Sequence, residues 1–182
     1  IQGVWENLGC KFVSVLGSVE GTNAMTRLDD SEDVVCNSVG RKCCPYETYK
    51  IIDHDENELP PHAEGELVSK GPGIFTGYYM SADENERIFT RDGFARTGDL
   101  ARMDEAGNIT ITGRIKDIIL RGGENISAHE IERLIRLHPE VADVAVVGMP
   151  DQELGERICA YIQKTADAVE ITLDGLVSFL KK

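Results

Sequence analysis

Near residue 113 the spacing of apolar residues changes, and this change limits the possible folds more than any other feature of the chain. From about Tyr46 to Thr112 the apolar residues come in short runs, YKIID, GELVSK, GIFTGYY and NITIT. HDENELPPHAE, KGPG, RDG and DEAGN lie between them, as turns lie between short strands. In AGNITIT the alternation predicts a hairpin strand with Ile109 and Ile111 on one face and Thr110 and Thr112 on the other. Beyond Gly113 the pattern is mixed. Ser127 and Glu130 have the Ser-x-x-Glu spacing of a capping box, and Ile131, Leu134, Ile135 and His138 follow at helical intervals up to Pro139. VADVAVVG and ERICAYI read as strands joined by the turn-like MPDQELG, and LDGLVSFLKK returns to the helical interval through Leu173, Leu176, Val177 and Leu180. The expected class is α+β, a β-rich unit followed by a small α+β domain that begins near Lys116.

A chain of 182 residues with 41% hydrophobic residues is long enough to bury a core. Its 19 basic and 32 acidic residues give a net charge of -13, which repels a phosphate backbone and argues against a nucleic-acid partner. No segment approaches the ~20 apolar residues of a membrane span. IQGVWENLGC also lacks the basic-then-apolar order of a signal peptide, so a cytoplasmic protein is expected. The five cysteines, at 10, 36, 43, 44 and 159, form no Cys-x-x-Cys pair and are odd in number, so buried or inert thiols are expected rather than zinc ligands or disulfides. The chain opens within a helix-like pattern without methionine and stops at FLKK within another, as expected for a fragment of a longer protein.

Three places offer chemistry. KFVSVLG, residues 11–17, reads as a buried strand feeding a polar loop, where Glu20 sits between Gly17 and Gly21. Backbone can approach a ligand closely there, although an ordinary solvated acid in a turn would look the same. In RTGDL, Asp99 follows a Thr-Gly turn at the end of the β-rich unit. Such an aspartate can accept two hydrogen bonds from a ribose diol, or it can bond its own backbone in an Asx turn. Arg114, Lys116 and Arg121 lie close together in an acidic chain. If the segment is extended, Arg114 and Lys116 share a face and could meet a phosphate or carboxylate, or form only a solvated basic strand. Gly122-Gly123, just before the capped helix, stays open as a phosphate cradle, a hinge or a turn.

The order of these pieces resembles the adenylate-forming superfamily of acyl-CoA synthetases, aryl-acid AMP ligases, luciferases and peptide-synthetase adenylation domains. The resemblance rests on GSVEG, TRLDD, VGR with PY shortly after, ELPPHAEGEL, GPGIFTGYY, DGFARTGDL, GRIKDIILRGGENISAHEIE and HPEVADVAVVGMPDQELGE, which cover nearly the whole chain. The GRIKD and GGENIS wording is closer to acyl-CoA synthetases and aryl-acid ligases than to amino-acid-activating domains, and VEGTNAMTRLDD leans toward aryl-acid and related cyclic-acid ligases.

The resemblance implies the end of a large N-terminal domain over residues 1–45, a distorted, barrel-like β-rich subdomain over 46–115 and a mobile C-terminal domain over 116–182. It implies ATP, AMP, Mg2+ and coenzyme A as ligands and a small carboxylic acid as substrate, with a carrier protein as the alternative thiol partner. Carried across by motif, Glu20 binds magnesium, Asp99 accepts the ribose hydroxyls and Arg114 contacts the ribose and phosphate. Leu16, Gly17 and Val19 lie along the nucleotide, and Val15, Leu16 and Gly17 border the acyl or adenine pocket. Lys116 is the hinge, about which rotation brings the Gly122-Gly123 loop toward the thiol. Three departures accompany these expectations. The upstream phosphate loop is absent, no part of the catalytic-lysine motif matches Lys181 or Lys182, and the usual aromatic-Gly-x-Thr-Glu reads Leu16-Gly17-Ser18-Val19-Glu20. The implied activity is an acid:CoA ligase, against an aryl-acid AMP ligase or a noncatalytic nucleotide-binding remnant.

Overall fold

The runs YKIID and GELVSK of the first half pair as antiparallel strands. In the computed structural model, which describes residues 2–166 and 171–181, the chain divides into two units, Ile1–Thr112 and Gly113–Lys182. Ile1 and Lys182, at the helix-like ends noted above, lie outside the described residues.

The first unit begins with α1 (Gln2–Leu8) and then forms a three-stranded sheet in the order β1 (Val15–Gly17), β2 (Asn23–Met25), β3 (Arg41–Lys42). Between β2 and β3, Ser31 caps α2 (Glu32–Asn37) by accepting the Val34 amide on its side chain at 3.4 Å. A four-stranded sheet follows in the order β4 (Thr48–Ile52), β5 (Gly65–Lys70), β6 (Ala95–Met103), β7 (Ile109–Arg114), with α3 (Ala82–Ile88) between β5 and β6. Tyr49, Ile51, Leu67, Ala101 and Ile109 form its core, with Leu16 and Ile111 packed against them. The predicted alternation of Ile109 and Ile111 therefore faces this core, while Thr110 is exposed. Both sheets are open rather than closed into a barrel, because β4 and β7 lie at opposite edges of the larger one.

The second unit packs α4 (Ala128–Ile135) and α5 (Leu173–Leu180) with a sheet in the order β10 (Val141–Asp151), β11 (Gly155–Lys164), β8 (Ile118–Arg121), β9 (Glu124–Ser127). Ile119, Ile135, Val144, Val146 and Leu176 supply its core, and Ser127 caps α4 by accepting the Glu130 amide at 3.3 Å. The mixed α+β class expected from the sequence is the class the chain adopts.

Several local expectations are corrected. KFVSVLG is strand only at Val15–Gly17 and is not buried, since Leu16 alone of the three turns inward. GIFTGYY is irregular because its backbone groups bond elsewhere. The Phe75 amide reaches Glu20 O at 2.9 Å, and Asn85 closes on both the Tyr78 amide and carbonyl at 2.6 and 2.8 Å. RTGDL lies inside β6 rather than at the end of the β unit. MPDQELG is not all turn, because β10 runs on through Asp151. Leu134, Leu173, Val177 and Leu180 are exposed despite their helical spacing. The five cysteines are free thiols, but none is buried.

Candidate functional site

Glu20 sits in the turn joining β1 to β2. The Gly21 amide returns to Ser18 O at 3.2 Å, and the Thr22 amide reaches the Ser18 hydroxyl, also at 3.2 Å. The buried Thr22 and Ser69 hydroxyls share a 2.6 Å hydrogen bond that ties the turn to β5. At Gly21 φ is 101°, and a Cβ would lie 2.0 Å from Gly73 O. This position needs glycine for both backbone and space. The turn and residues 71–78 are thus held together, and Tyr78 donates its hydroxyl proton to Glu20 Oε1 at 2.6 Å. That hydrogen bond raises the Tyr78 phenol above its ordinary value, because losing the proton would set a second negative charge beside the carboxylate. Within the same strand and turn, Leu16 is half-buried, whereas Val15, Gly17 and Val19 are exposed.

Asp99 is buried and lies in a bulge of β6. Glu66 pairs with Leu100 and Val68 with Arg96, so Thr97, Gly98 and Asp99 lie opposite Leu67 alone. This is a wide irregularity of the kind that re-aims a side chain. The Thr97 hydroxyl donates to Leu67 O at 2.8 Å and accepts the Asp99 amide at 3.1 Å, while Gly98 adopts φ 70°. Sequence reading expected a tight turn here. The side chains that hydrogen-bond the bulge, Thr97 and Glu66, whose Oε1 accepts the Gly98 amide at 3.3 Å, were missed, although an acid inside the strand GELVSK was a visible signal.

The remaining predicted positions belong to the second unit. β7 ends at Arg114, and Ile115–Asp117 turn as a short 3-10 helix containing Lys116. Arg114 and Lys116 are therefore not alternate residues of one strand, and the expectation that they share its face is corrected. Both are exposed. Gly122 and Gly123 form the two-residue loop of the β8–β9 hairpin, with Arg121 paired to Glu124 and φ values of 60° and 87°. Two positive φ values in such a loop describe a type I′ turn, for which Gly-Gly is well suited. The Gly122 amide also reaches Leu154 O at 2.8 Å.

Two family models match the chain, the AMP-binding enzyme over residues 1–79 and the AMP-binding enzyme C-terminal domain over residues 130–182. The chain belongs to the adenylate-forming superfamily. Among its relatives, the 2,3-dihydroxybenzoate-AMP ligase of Bacillus subtilis (strain 168) is 43% identical over 154 residues, covering 85% of this chain and 29% of the relative. The medium-chain fatty-acid–CoA ligase of Escherichia coli (strain K12) is 42% identical over 175 residues, covering 96% and 31%. The solved structure of ATP-bound MatB from Rhodopseudomonas palustris is similar with a TM-score of 0.87 at 31% identity, covering 95% of this chain and 34% of that one. The chain thus spans about a third of the length of the curated relatives it matches.

Among the described residues no group of three or more His, Cys, Asp or Glu side chains could hold a metal ion. Magnesium is commonly bound through one or two carboxylates plus substrate phosphates, so the single Glu20 carboxylate fits that role without a cluster. No described helix is long and apolar enough to cross a membrane.

Proposed function

We propose that the chain is the C-terminal part of an ATP-dependent carboxylic acid:CoA ligase acting on an aryl, cyclic or medium-chain acid. A carboxylate oxygen attacks the α-phosphorus of ATP, the bond to pyrophosphate breaks, and an acyl-adenylate forms. The thiol of coenzyme A then attacks the acyl carbon, and AMP leaves. In this reading Asp99 accepts the ribose hydroxyls, Arg114 contacts ribose and phosphate, and Glu20 is a magnesium ligand. Val15, Leu16, Gly17 and Val19 border the nucleotide or acyl group, while Gly122 and Gly123 line the thiol approach. Magnesium, when bound, offsets charge on the phosphate oxygens. The observation that carries the proposal is the buried Asp99 carboxylate in a bulge whose backbone is fixed by its neighbours. A carboxylate held before the ligand arrives loses little freedom on binding.

A second reading, an aryl-acid AMP ligase that loads a carrier protein, is supported by the similarity to the dihydroxybenzoate-AMP ligase. Turnover with coenzyme A against turnover with a phosphopantetheinylated carrier separates the two. In the full-length parent, carboxylate-dependent ATP–pyrophosphate exchange should fall roughly 100-fold or more in both Asp99→Ala and Glu20→Gln. Undiminished exchange in either variant would overturn the role given to that residue. The 182-residue chain alone should show no ligase turnover.

A further inference from the structure

The bulge that carries Asp99 is held on one side by Thr97 and on the other by a chain of charges. The Gly98 amide donates to Glu66 Oε1 at 3.3 Å. Glu66 Oε2 accepts Arg96 Nη1 at 2.5 Å, and the other arm of that guanidinium, Nη2, donates to Glu56 Oε1 at 2.5 Å. Glu56 adopts φ 70°, and its second oxygen takes both the amide of Arg91, at 3.1 Å, and the Arg91 Nε, at 2.8 Å. Glu66 is buried, while Arg91 at the far end is largely exposed. A buried carboxylate needs partners for both oxygens. Here one oxygen is held by a cation and the other faces the middle residue of the bulge.

Thr97 alone does not fix Asp99, because Gly98 between them has no side chain and a wide choice of backbone angles. A contact on the Gly98 amide removes that choice. We infer that Glu66 is a positioning residue for Asp99, orienting the Thr97-Gly98-Asp99 bulge through the Gly98 amide so that the Asp99 carboxylate meets a ribose diol. The inference rests on the proposed ribose role of Asp99. Arg96 holds Glu66 and Glu56 holds Arg96 in turn, and none of the three is given a contact with the nucleotide.

Glu66→Gln tests the idea with little change of shape. Glutamine offers one acceptor oxygen where two donors, Arg96 Nη1 and the Gly98 amide, now find one each, so one contact must be given up. The probes are AMP and 2′,3′-dideoxy-AMP, titrated into the 182-residue chain and followed by NMR. Charged hydrogen bonds to the diol should give the wild-type chain about a tenfold or greater preference for AMP. Glu66→Gln should lose most of that preference while binding dideoxy-AMP unchanged, and the Gly98 and Asp99 amides should exchange faster with solvent than their strand neighbours. Should that variant fail to fold, Glu66→Asp retains the charge beside Arg96 but draws the oxygen away from Gly98, and the same loss is expected. Equal weakening toward both nucleotides, or an unchanged preference, overturns the positioning role alone. A wild-type chain with no preference for AMP overturns the ribose role of Asp99 and this inference with it.

Discussion

Gly21 and Gly98 both hold left-handed backbone, at φ 101° and 70°, but alanine meets a different obstacle at each. A Cβ on Gly98 finds nothing within 4 Å, so the substitution costs only the unfavourable backbone region, about 1–2 kcal/mol. On Gly21 the same atom would press on the Gly73 carbonyl, which is main chain and cannot rotate aside. Overpacking then adds about 1–3 kcal/mol. Urea unfolding should therefore show Gly21→Ala destabilising the first unit more than Gly98→Ala, and equal losses would refute the close approach as the cause. Sequence made the first half of this argument available, since glycines beside Glu20 and Asp99 suggested special backbone. It could not supply the second half, because Gly73 lies more than fifty residues away and meets Gly21 only in the fold. The Tyr78 hydroxyl on Glu20 was hidden for the same reason.

At the scale of elements, Asp151 shows how one side chain closes the β10–β11 hairpin. Its Oδ1 accepts the amides of Glu153 and Leu154 at 3.0 and 2.9 Å, and its other oxygen pairs with Arg157. The Leu154 amide, then the Glu153 amide, hold this carboxyl below its ordinary value, with Arg157 adding to them. A carboxyl lowered by folding stabilises the protein above its unfolded value, here 3.8, and that contribution is lost as the pH falls through the lower folded value. Asp151→Asn should thus be less stable than the wild type at neutral pH, with the gap in urea midpoint closing in acid. A gap that stays constant across that range would remove Asp151 from the acid response. The two strands were legible from VADVAVVG and ERICAYI, but the length of β10 was not. Pro150 and the acids of MPDQELG looked like a turn, whereas the pairing of Pro150 with Glu156 continues the ladder. Similarly, GIFTGYY had strand-like composition and lost its strand bonding to Asn85 and Glu20, and α3 behind it had no apolar stripe to announce it.

For the whole molecule, the change of apolar spacing near residue 113 coincides with the point where the two units divide. Class and family were readable because each depends on patterns spread over many residues. The division falls within β7, and two residues after it comes the Ile115–Asp117 turn, closed by the Ile118 amide on Ile115 O. If rotation of the second unit between the two half-reactions uses this turn, stiffening it should disturb the change between states more than either state itself. Lys116→Pro removes one amide proton, fixes φ at residue 116 and disfavours helical backbone at Ile115. In the full-length parent the expected result is an uneven loss, with either pyrophosphate exchange or thioester formation from a supplied acyl-adenylate kept near wild type while the other falls. An equal fall in both would mean that Lys116 supports the fold or the chemistry in general and is not the pivot. Lys116→Ala is the companion measurement, because it removes the charge and leaves the backbone free. A defect shared by both variants would belong to the ammonium group, whereas one confined to proline would belong to the turn.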